Sequence, residues 1–430
     1  MEMTNNYSGG VIADDDFEFA ACAQDRGCAR ERARGTVAAR ATSRGLNAGI
    51  AVSAVLVAVG VALWGMQLVG GMQQTNMRNL DSWGLYITMF MFFVGLSAGG
   101  LIISSVPKAF GIAGFGGISK VAVFSSIACT VCAIGFVVVD LGQPARLWEL
   151  LVYSNLTSPL MWDILVIGTY LVLSIVYLWA QLRAEAGKMS SASLRVISVV
   201  ALVCAVLVHS VTAWIFGLQQ GREMWHTALL APWFVSSALV CGTALVLCVV
   251  IGLRKVGYLA VEQDNIVRLT KLLGAFVCVD LYFFGCDLLT EGFPGASGAE
   301  VVSMLVSGPL APFFWTEVIG CAVCAVICFV PALRRNGLIV FGSLLAMLGI
   351  FCKRVQLLVG GFQMPNLDLA SSALNGPVLT DAGLTTFGLR GAMVYFPSPI
   401  ELGVMAGVVA LGVLLFLVGV KFLPLKPNEK

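Results

Sequence analysis

The hydrophobic pattern has one dominant period: long apolar runs broken by short polar connections. A helix that crosses a bilayer needs about 20 consecutive apolar residues. Ten runs meet that length, at roughly 47–69, 83–107, 120–139, 160–183, 194–218, 228–253, 267–290, 308–332, 336–359 and 399–422. The runs are continuous and do not alternate, which predicts spanning helices rather than a membrane barrel. The fold class expected is therefore all-α integral membrane. A weak internal likeness between FFVGLSAGG (Phe92–Gly100) in the second run and WFVSSALVCG (Trp233–Gly242) in the sixth refines it. Small residues at this spacing let helix backbones approach closely. The expectation is two four-helix bundles, helices two to five and six to nine, with helices one and ten peripheral.

Lysine and arginine set the orientation. About 20 of the 26 basic residues fall on the side holding the N-terminal segment, the even-numbered connections and the C-terminal tail. The bias survives dropping the N-terminal segment. Both termini are expected in the cytoplasm, and the connection between helices three and four faces outward. Residues 1–46 read as a loosely ordered arm or a docking segment, 47–422 as the membrane domain and 423–430 as a tail. The arm runs from acidic to basic with no apolar core after a short basic start, unlike a secretory signal.

Composition agrees: 58% of the 430 residues are hydrophobic and 12% charged, too few charges for a soluble chain of this length. A net charge of +2 suggests no nucleic-acid partner. The thirteen cysteines include the CxxC pairs Cys129/Cys132 and Cys321/Cys324, both inside apolar runs. They read as small polarizable packing residues, because a cluster needs four thiolates in a polar setting. The two histidines, His209 within helix five and His226 in a connection, do not form the facing pair a membrane haem needs. No haem or iron–sulfur cluster is expected in this chain.

Ionisable side chains are costly in lipid and usually face a bundle interior or a cavity. Here they crowd toward the outer face. Asp163 opens helix four; Asp280, Tyr282 and Asp287 lie in the outer half of helix seven, Glu317 in helix eight, Lys353 and Arg354 in helix nine. His209 lies toward the outer end of helix five, and Tyr86 and Trp83 open helix two. The inner half is expected to carry little comparable. The outer connection between helices three and four, DLGQPARLWELLVYSNLTSPLMWD (Asp140–Asp163), is dense in fixed polar chemistry. Asp140 and Arg146 are spaced for a turn that pairs them as a clamp, since arginine suits carboxylate contacts. A flat redox lipid fits such a site: a quinone is an apolar ring with two carbonyl oxygens, each needing a donor or acceptor, plus a route for protons. Asp163 and His209 are the candidates to bind the quinone head, with Tyr86 and Trp162 lining it. Asp280, Asp287 and Glu317 are candidates for a proton route.

Three blocks together resemble the polysulfide reductase membrane subunits of the NrfD/PsrC family, ten-helix branch. They are DLGQPAR with TSPLMWD, HSVTAWIFGLQQGREMWHTALLAPWFVSSAL (His209–Leu239) and YFPSPIELGVMAGVVALG (Tyr395–Gly412). The resemblance spans the ten helices and not the arm. It implies a subunit without cofactors of its own that reacts with menaquinone or ubiquinone in a bacterial cytoplasmic membrane. It implies a ferredoxin-like 4Fe-4S partner and a catalytic subunit, such as a molybdopterin enzyme or hydrogenase. Asp163 and His209 carry over as quinone ligands, and Asp140 and Arg146 as pocket roof or docking surface. Two departures stand out. The end of helix three, CAIGFVVVDLG, lacks the histidine some relatives place there, and Asp287 stands where a glutamate is expected. The alternatives to the quinone-reactive reading are a proton-translocating subunit and a passive anchor of such a complex.

Overall fold

The computed structural model describes residues 45–77, 82–111, 116–222, 224–293, 298–363 and 395–425. The expected arm therefore lies outside the described residues but for Gly45 and Leu46, and so does the tail beyond residue 425. Contacts divide the chain into residues 1–51, which include the first turns of the first long helix, and residues 52–430, which hold the rest of the fold.

Ten helices are long and apolar enough to span a membrane. They are α1 (Gly45–Gly70), α2 (Leu85–Phe110), α3 (Gly116–Asp140), α4 (Pro159–Glu185), α5 (Ser191–Gly217), α6 (Leu230–Lys255), α7 (Gln263–Glu291), α8 (Ala311–Phe329), α9 (Asn336–Gly360) and α10 (Pro399–Phe422). All lie within a few residues of the ranges read from the apolar runs. No strand occurs among the described residues. Their ends follow local chemistry. Ser158 caps α4 in extended conformation with Pro159 at the first helical position, where its missing N–H costs nothing. Ser190 accepts from Ser193 N at the start of α5. A full capping box opens α10, with Ser398 and Glu401 each bonding the other's backbone N–H. Gly111 ends α2 at φ 72°, a left-handed position that favours glycine.

α2, α3, α4 and α5 close one ring of packed neighbours, and α6, α7, α8 and α9 close a second. The rings meet through α2 against α6, α5 against α6 and α9 against α2. α10 lies on α3, and α1 on α10, where a Cβ added to Gly60 would come within 2.5 Å of Gly407 Cα. Burial ranks the helices accordingly: 89% of the most apolar window of α2 is buried, against 11% of α1. The two repeat segments face one another at the centre. A Cβ on Gly99 would stand 2.7 Å from Gly242 Cα, so this contact is backbone on backbone. Lipid tails are as apolar as leucine, so such close packing, rather than water exclusion, holds the helices together.

The connections differ in length by face. Those joining α1–α2, α3–α4, α5–α6, α7–α8 and α9–α10 are long and carry the short helices Glu149–Val152 and Ala299–Val306. Those on the opposite face are short. The first is the long-loop face and the second the short-loop face.

Candidate functional site

The second bundle encloses a charged cluster in its long-loop half. Lys353 of α9 places Nζ 2.5 Å from Asp280 Oδ2 of α7 and 3.2 Å from Glu317 Oε1 of α8. One ammonium thus ties three helices. The remaining oxygens are also occupied: Ser236 Oγ donates to Asp280 Oδ1 at 2.9 Å, and Gln356 Nε2 donates to Glu317 Oε2 at 2.8 Å. Buried charges persist only when paired and hydrogen-bonded in this way. Arg354, fully buried beside Lys353, donates from one terminal nitrogen to Ser237 Oγ at 2.5 Å and lies on the face of the Phe234 ring.

Why this end of α9 carries so many inward side chains is local. Gln356–Gly360 form a π turn, which rotates the register so that every residue from Gln356 to Gly360 is buried. The carbonyls loosened there find donors from the α5–α6 connection. Trp225 Nε1 donates to Leu357 O and Arg222 to Gly361 O, both at 2.7 Å.

A narrow cavity of about 40 Å³ opens beside this cluster. Its walls are aromatic on one side, where Trp233 and Phe284 stack with centroids 5.3 Å apart and Lys353 Nζ sits 4.5 Å from the Trp233 ring. Glu317, Lys353, Arg354 and Gln356 line it, as does Asp287, whose Oδ1 accepts from Thr227 Oγ1 at 3.0 Å. Leu288, Val301 and Leu305 close it toward the long-loop face. Of the proton-route candidates, Glu317 and Asp287 line the cavity and Asp280 stands behind Lys353. Tyr282, grouped with them in the sequence, is 68% exposed and points away from the bundle.

The quinone-ligand candidates lie in the first bundle. Asp163 of α4 is buried and accepts from Thr212 Oγ1 of α5 at 2.6 Å. His209, one turn before Thr212 on α5, is 1% exposed, and neither ring nitrogen has a hydrogen-bond partner. It meets Phe234 edge-on, with centroids 6.4 Å apart. Asp163, through Thr212, and His209 thus meet on one stretch of α5, but neither lines the cavity; Phe234, which His209 meets, is part of its wall.

Below Asp163 the first bundle departs from the sequence expectation of a bare inner half. α4 buries Tyr170, Ser174, Tyr177 and Gln181 at helical spacing below Asp163. Ser126 Oγ and Tyr170 OH are 2.7 Å apart, and Ser97 Oγ and Thr130 Oγ1 2.6 Å. Nearer the short-loop face Ser104, Ser119, Gln181 and Tyr177 form a second knot, with Ser104 Oγ and Ser119 Oγ 2.6 Å apart. Lys120 and Glu185 end the series with an ion pair at 2.8 Å. Hydroxyl side chains bond their own helix carbonyls at little cost, as Ser174 and Thr130 do, so they give no alarm in a hydropathy profile.

The other predicted residues serve the α1–α2–α10 corner and the loops. Tyr86 is fully buried and donates to Gln67 Oε1 at 2.7 Å, and Gln67 Nε2 donates to Val139 O at 3.0 Å. Beside it, Glu401 accepts from Tyr395 OH, Ser398 N and Asn76 N at 2.5, 2.7 and 3.0 Å. Burial, then the Glu401 carboxylate, pushes the Tyr395 phenol above its ordinary range, which keeps it a donor. Trp162 is half-buried and spends its indole N–H on Leu156 O at 2.6 Å, holding the loop ahead of α4. The Asp140–Arg146 clamp does not form. Arg146 is 69% exposed and pairs with Glu149 at 3.3 Å, its i+3 neighbour, while Asp140 closes α3 with one enclosed oxygen lacking a donor. Residues 141–153 instead line an open groove on the long-loop face.

The residues that sequence reasoning left out of the site are Lys353, Arg354, Gln356, Ser236 and Phe234. The signal was present: two cations near the end of an apolar helix, with two carboxylates at matching depth on α7 and α8. Among the described residues no group of three or more His, Cys, Asp or Glu is placed to hold a metal ion.

The family model described as polysulphide reductase, NrfD, matches residues 73–366, well over half the chain and all of both bundles. The chain belongs to the NrfD family. This NrfD-family chain is 34% identical to a putative dimethyl sulfoxide reductase membrane subunit of Halobacterium salinarum, over 88% of this chain and 91% of that one. It is 26% identical to a selenate reductase subunit of Mesobacillus selenatarsenatis, over 86% and 92%. It is 27% identical to the Hdr-like menaquinol oxidoreductase integral membrane subunit of Archaeoglobus fulgidus, over 82% and 87%. The matched NrfD region holds Asp163, His209, the Lys353 cluster and the cavity together.

Proposed function

We propose that this chain is the quinone-reactive membrane subunit of a multi-subunit respiratory oxidoreductase. It exchanges electrons with an iron–sulfur partner docked on the long-loop face, which itself serves a catalytic subunit. The basic-residue bias puts that face outside a bacterial cytoplasmic membrane and both termini in the cytoplasm. The observation that carries the reading is the cavity in the second bundle. It offers a flat aromatic wall, Trp233 and Phe284, beside buried hydrogen-bonding groups, and it lies next to the long loops. The chemistry of its walls, an apolar face beside a few polar groups, suits an apolar ring with polar ends, which would enter by widening the pocket. Glu317 and Asp287 line it and are the proposed proton-exchanging groups. His209, with both nitrogens open, and Asp163 act from behind Phe234. Relatives named as a putative dimethyl sulfoxide reductase membrane subunit, a selenate reductase subunit and a menaquinol oxidoreductase integral membrane subunit support the reading. The open groove at residues 141–153, with Trp148 and Tyr153 exposed, is the proposed docking surface for the partner.

A second reading, proton translocation, is favoured by the separate buried polar clusters spaced along the first bundle: Asp163 with Thr212, Tyr170 with Ser126, Gln181 with Ser119, and the Lys120–Glu185 pair. It would deliver protons from the short-loop face. Turnover of short-chain menaquinol and ubiquinol analogues by the purified complex in vesicles tests both. Asp163→Asn and His209→Ala are expected to lower quinol-linked turnover more than tenfold with the complex intact. Turnover unaffected in both variants and in Glu317→Gln would leave a passive anchor. Tyr170→Phe is expected to lower protons moved per electron without lowering turnover, and an unchanged ratio would remove the second reading alone.

A further inference from the structure

Among the described residues, several buried side-chain atoms without a hydrogen-bond partner gather at the charged cluster. Four belong to three residues that line its cavity: Nε and one terminal nitrogen of Arg354, Nε1 of Trp233 and Oε1 of Glu317. Three are donors and one is an acceptor. Lys353 Nζ stands 3.2 Å from that acceptor as an ion pair without a directed hydrogen bond. The other terminal nitrogen of Arg354 already serves Ser237 Oγ. Its two open donors lie on opposite edges of the planar guanidinium, so they need two separate acceptors. All three residues are buried, and polar groups left unpaired in such a place are costly.

Volume and mixed polarity together name the ligand. The cavity offers about 40 Å³. An ordered water needs about 10–15 Å³ of such space, so about three waters fit and a ring does not. Only a molecule that both donates and accepts can serve Arg354, Trp233 and Glu317 at once. Formal charge agrees: Lys353 and Arg354 are offset by Asp280 and Glu317, which leaves no surplus for an anion.

We propose that a cluster of about three waters fills this cavity and relays protons between Glu317 and Asp287. Arg354 and Trp233 donate to the cluster and fix it. Asp287 lines the same cavity one turn before the long-loop end of α7, and Glu291, at that end, lines it as well. A proton on the Glu317 carboxyl passes to a water as the cluster gives one to the Asp287 carboxylate. One O–H bond breaks at Glu317, one forms at Asp287, and the waters end as they began. Glu317 is left a carboxylate beside Lys353, so the charge it regains is paired at once. The charged groups around the relay are Asp280 and Glu291 of α7 and Lys353 and Arg354 of α9, while α6 contributes the uncharged Ser236, Trp233 and Phe234. The relay rests on the proton-exchanging roles given above to Glu317 and Asp287, and it describes the cavity in its narrow, quinone-free form.

The test uses the whole purified complex with no quinone added. A crystal structure at a resolution that shows ordered water is expected to place water within hydrogen-bond distance of Arg354 Nε, of its open terminal nitrogen and of Glu317 Oε1. A dry cavity overturns the proposal, and so does a halide there, recognised by its anomalous signal after exchange into bromide. The relay is read separately, by infrared difference spectroscopy after a pH jump in ordinary water and in water labelled with oxygen-18. The Glu317 carboxyl band, identified by its loss in Glu317→Gln, is expected to respond together with O–H bands that move with the label. Asp287→Asn should slow that response by about tenfold or more, and Asp287→Glu should restore it. An equal rate in Asp287→Asn and the wild type overturns the relay. Neither measurement involves quinone, so failure here leaves the quinone reading standing, and a complex without quinone-dependent turnover would leave these results intact.

Discussion

His209 and Arg354 both meet one ring: the imidazole lies at 68° to Phe234 with centroids 6.4 Å apart, and the guanidinium carbon is 3.7 Å from the ring centroid. Phe234 is therefore shared by polar groups of the two bundles. Phe234→Leu keeps the apolar volume and removes the π face. It should destabilise the protein by about 2 kcal/mol, the scale of a desolvated cation–π contact. The change is read as a lower midpoint of unfolding in mixed detergent micelles, and an unaltered midpoint would deny the ring that role.

Lys353→Met should be among the most damaging single changes in the chain. It leaves Asp280 and Glu317 facing one another without their cation, a loss of about 3–5 kcal/mol for breaking a buried pair. Adding Asp280→Asn and Glu317→Gln to the same protein should recover most of it, because the three groups act as a unit. The cycle is measured by the same unfolding midpoints; additive losses would mean the three are independent.

Two glycines on α6 should respond with opposite sign. A Cβ on Gly242 would meet Gly99 carbonyl carbon at 2.7 Å and Gly100 N at 2.8 Å, all backbone that cannot step aside. Gly242→Ala should cost about 1–3 kcal/mol or more by overpacking. Gly252 has nothing within 4 Å of its would-be Cβ, and Gly252→Ala should stabilise by about 0.5–1 kcal/mol through helix propensity. The amounts of folded protein in the membrane, compared side by side, check the sign.

Tyr395 gives the chain an alkaline limit. Its phenol is pushed up by burial and by Glu401, so the folded state holds the proton after the unfolded chain has lost it. Stability should be independent of this group below the ordinary value of 10.0 and should fall as pH rises above it. Tyr395→Phe should abolish that slope while losing the bond to Leu85 N, seen as a lower stability at neutral pH. An equal alkaline slope in both proteins would assign it elsewhere.

How much of this is legible in the sequence follows from what lipid penalises. Spanning helices must advertise themselves as unbroken apolar runs, so all ten are readable, while the division into two bundles shows only through the likeness of Phe92–Gly100 to Trp233–Gly242. Buried carboxylates are equally conspicuous, which is why Asp163, Asp280, Asp287 and Glu317 stand out. Lys353 and Arg354 show their depth but not their membership of the site, because basic residues near a helix end normally report orientation. Their partners lie far away in sequence: 73 residues separate Lys353 from Asp280. The Asp140–Arg146 clamp fails on geometry, since the turn at residues 144–146 delivers Arg146 to Glu149, one turn on. The serine and tyrosine series in the first bundle escapes notice because each hydroxyl is individually inexpensive in a helix.

The joint between Gly99 and Gly242 has a consequence for how proteins built this way diversify. With no side chain at the seam, the spacing of the two halves is a property of main chain alone and cannot be adjusted by exchanging one residue for a bulkier one. The gap from His209 on one side to the pocket on the other is therefore a fixed dimension. New specificities must be written on the walls and the long loops, around a centre that stays the same width.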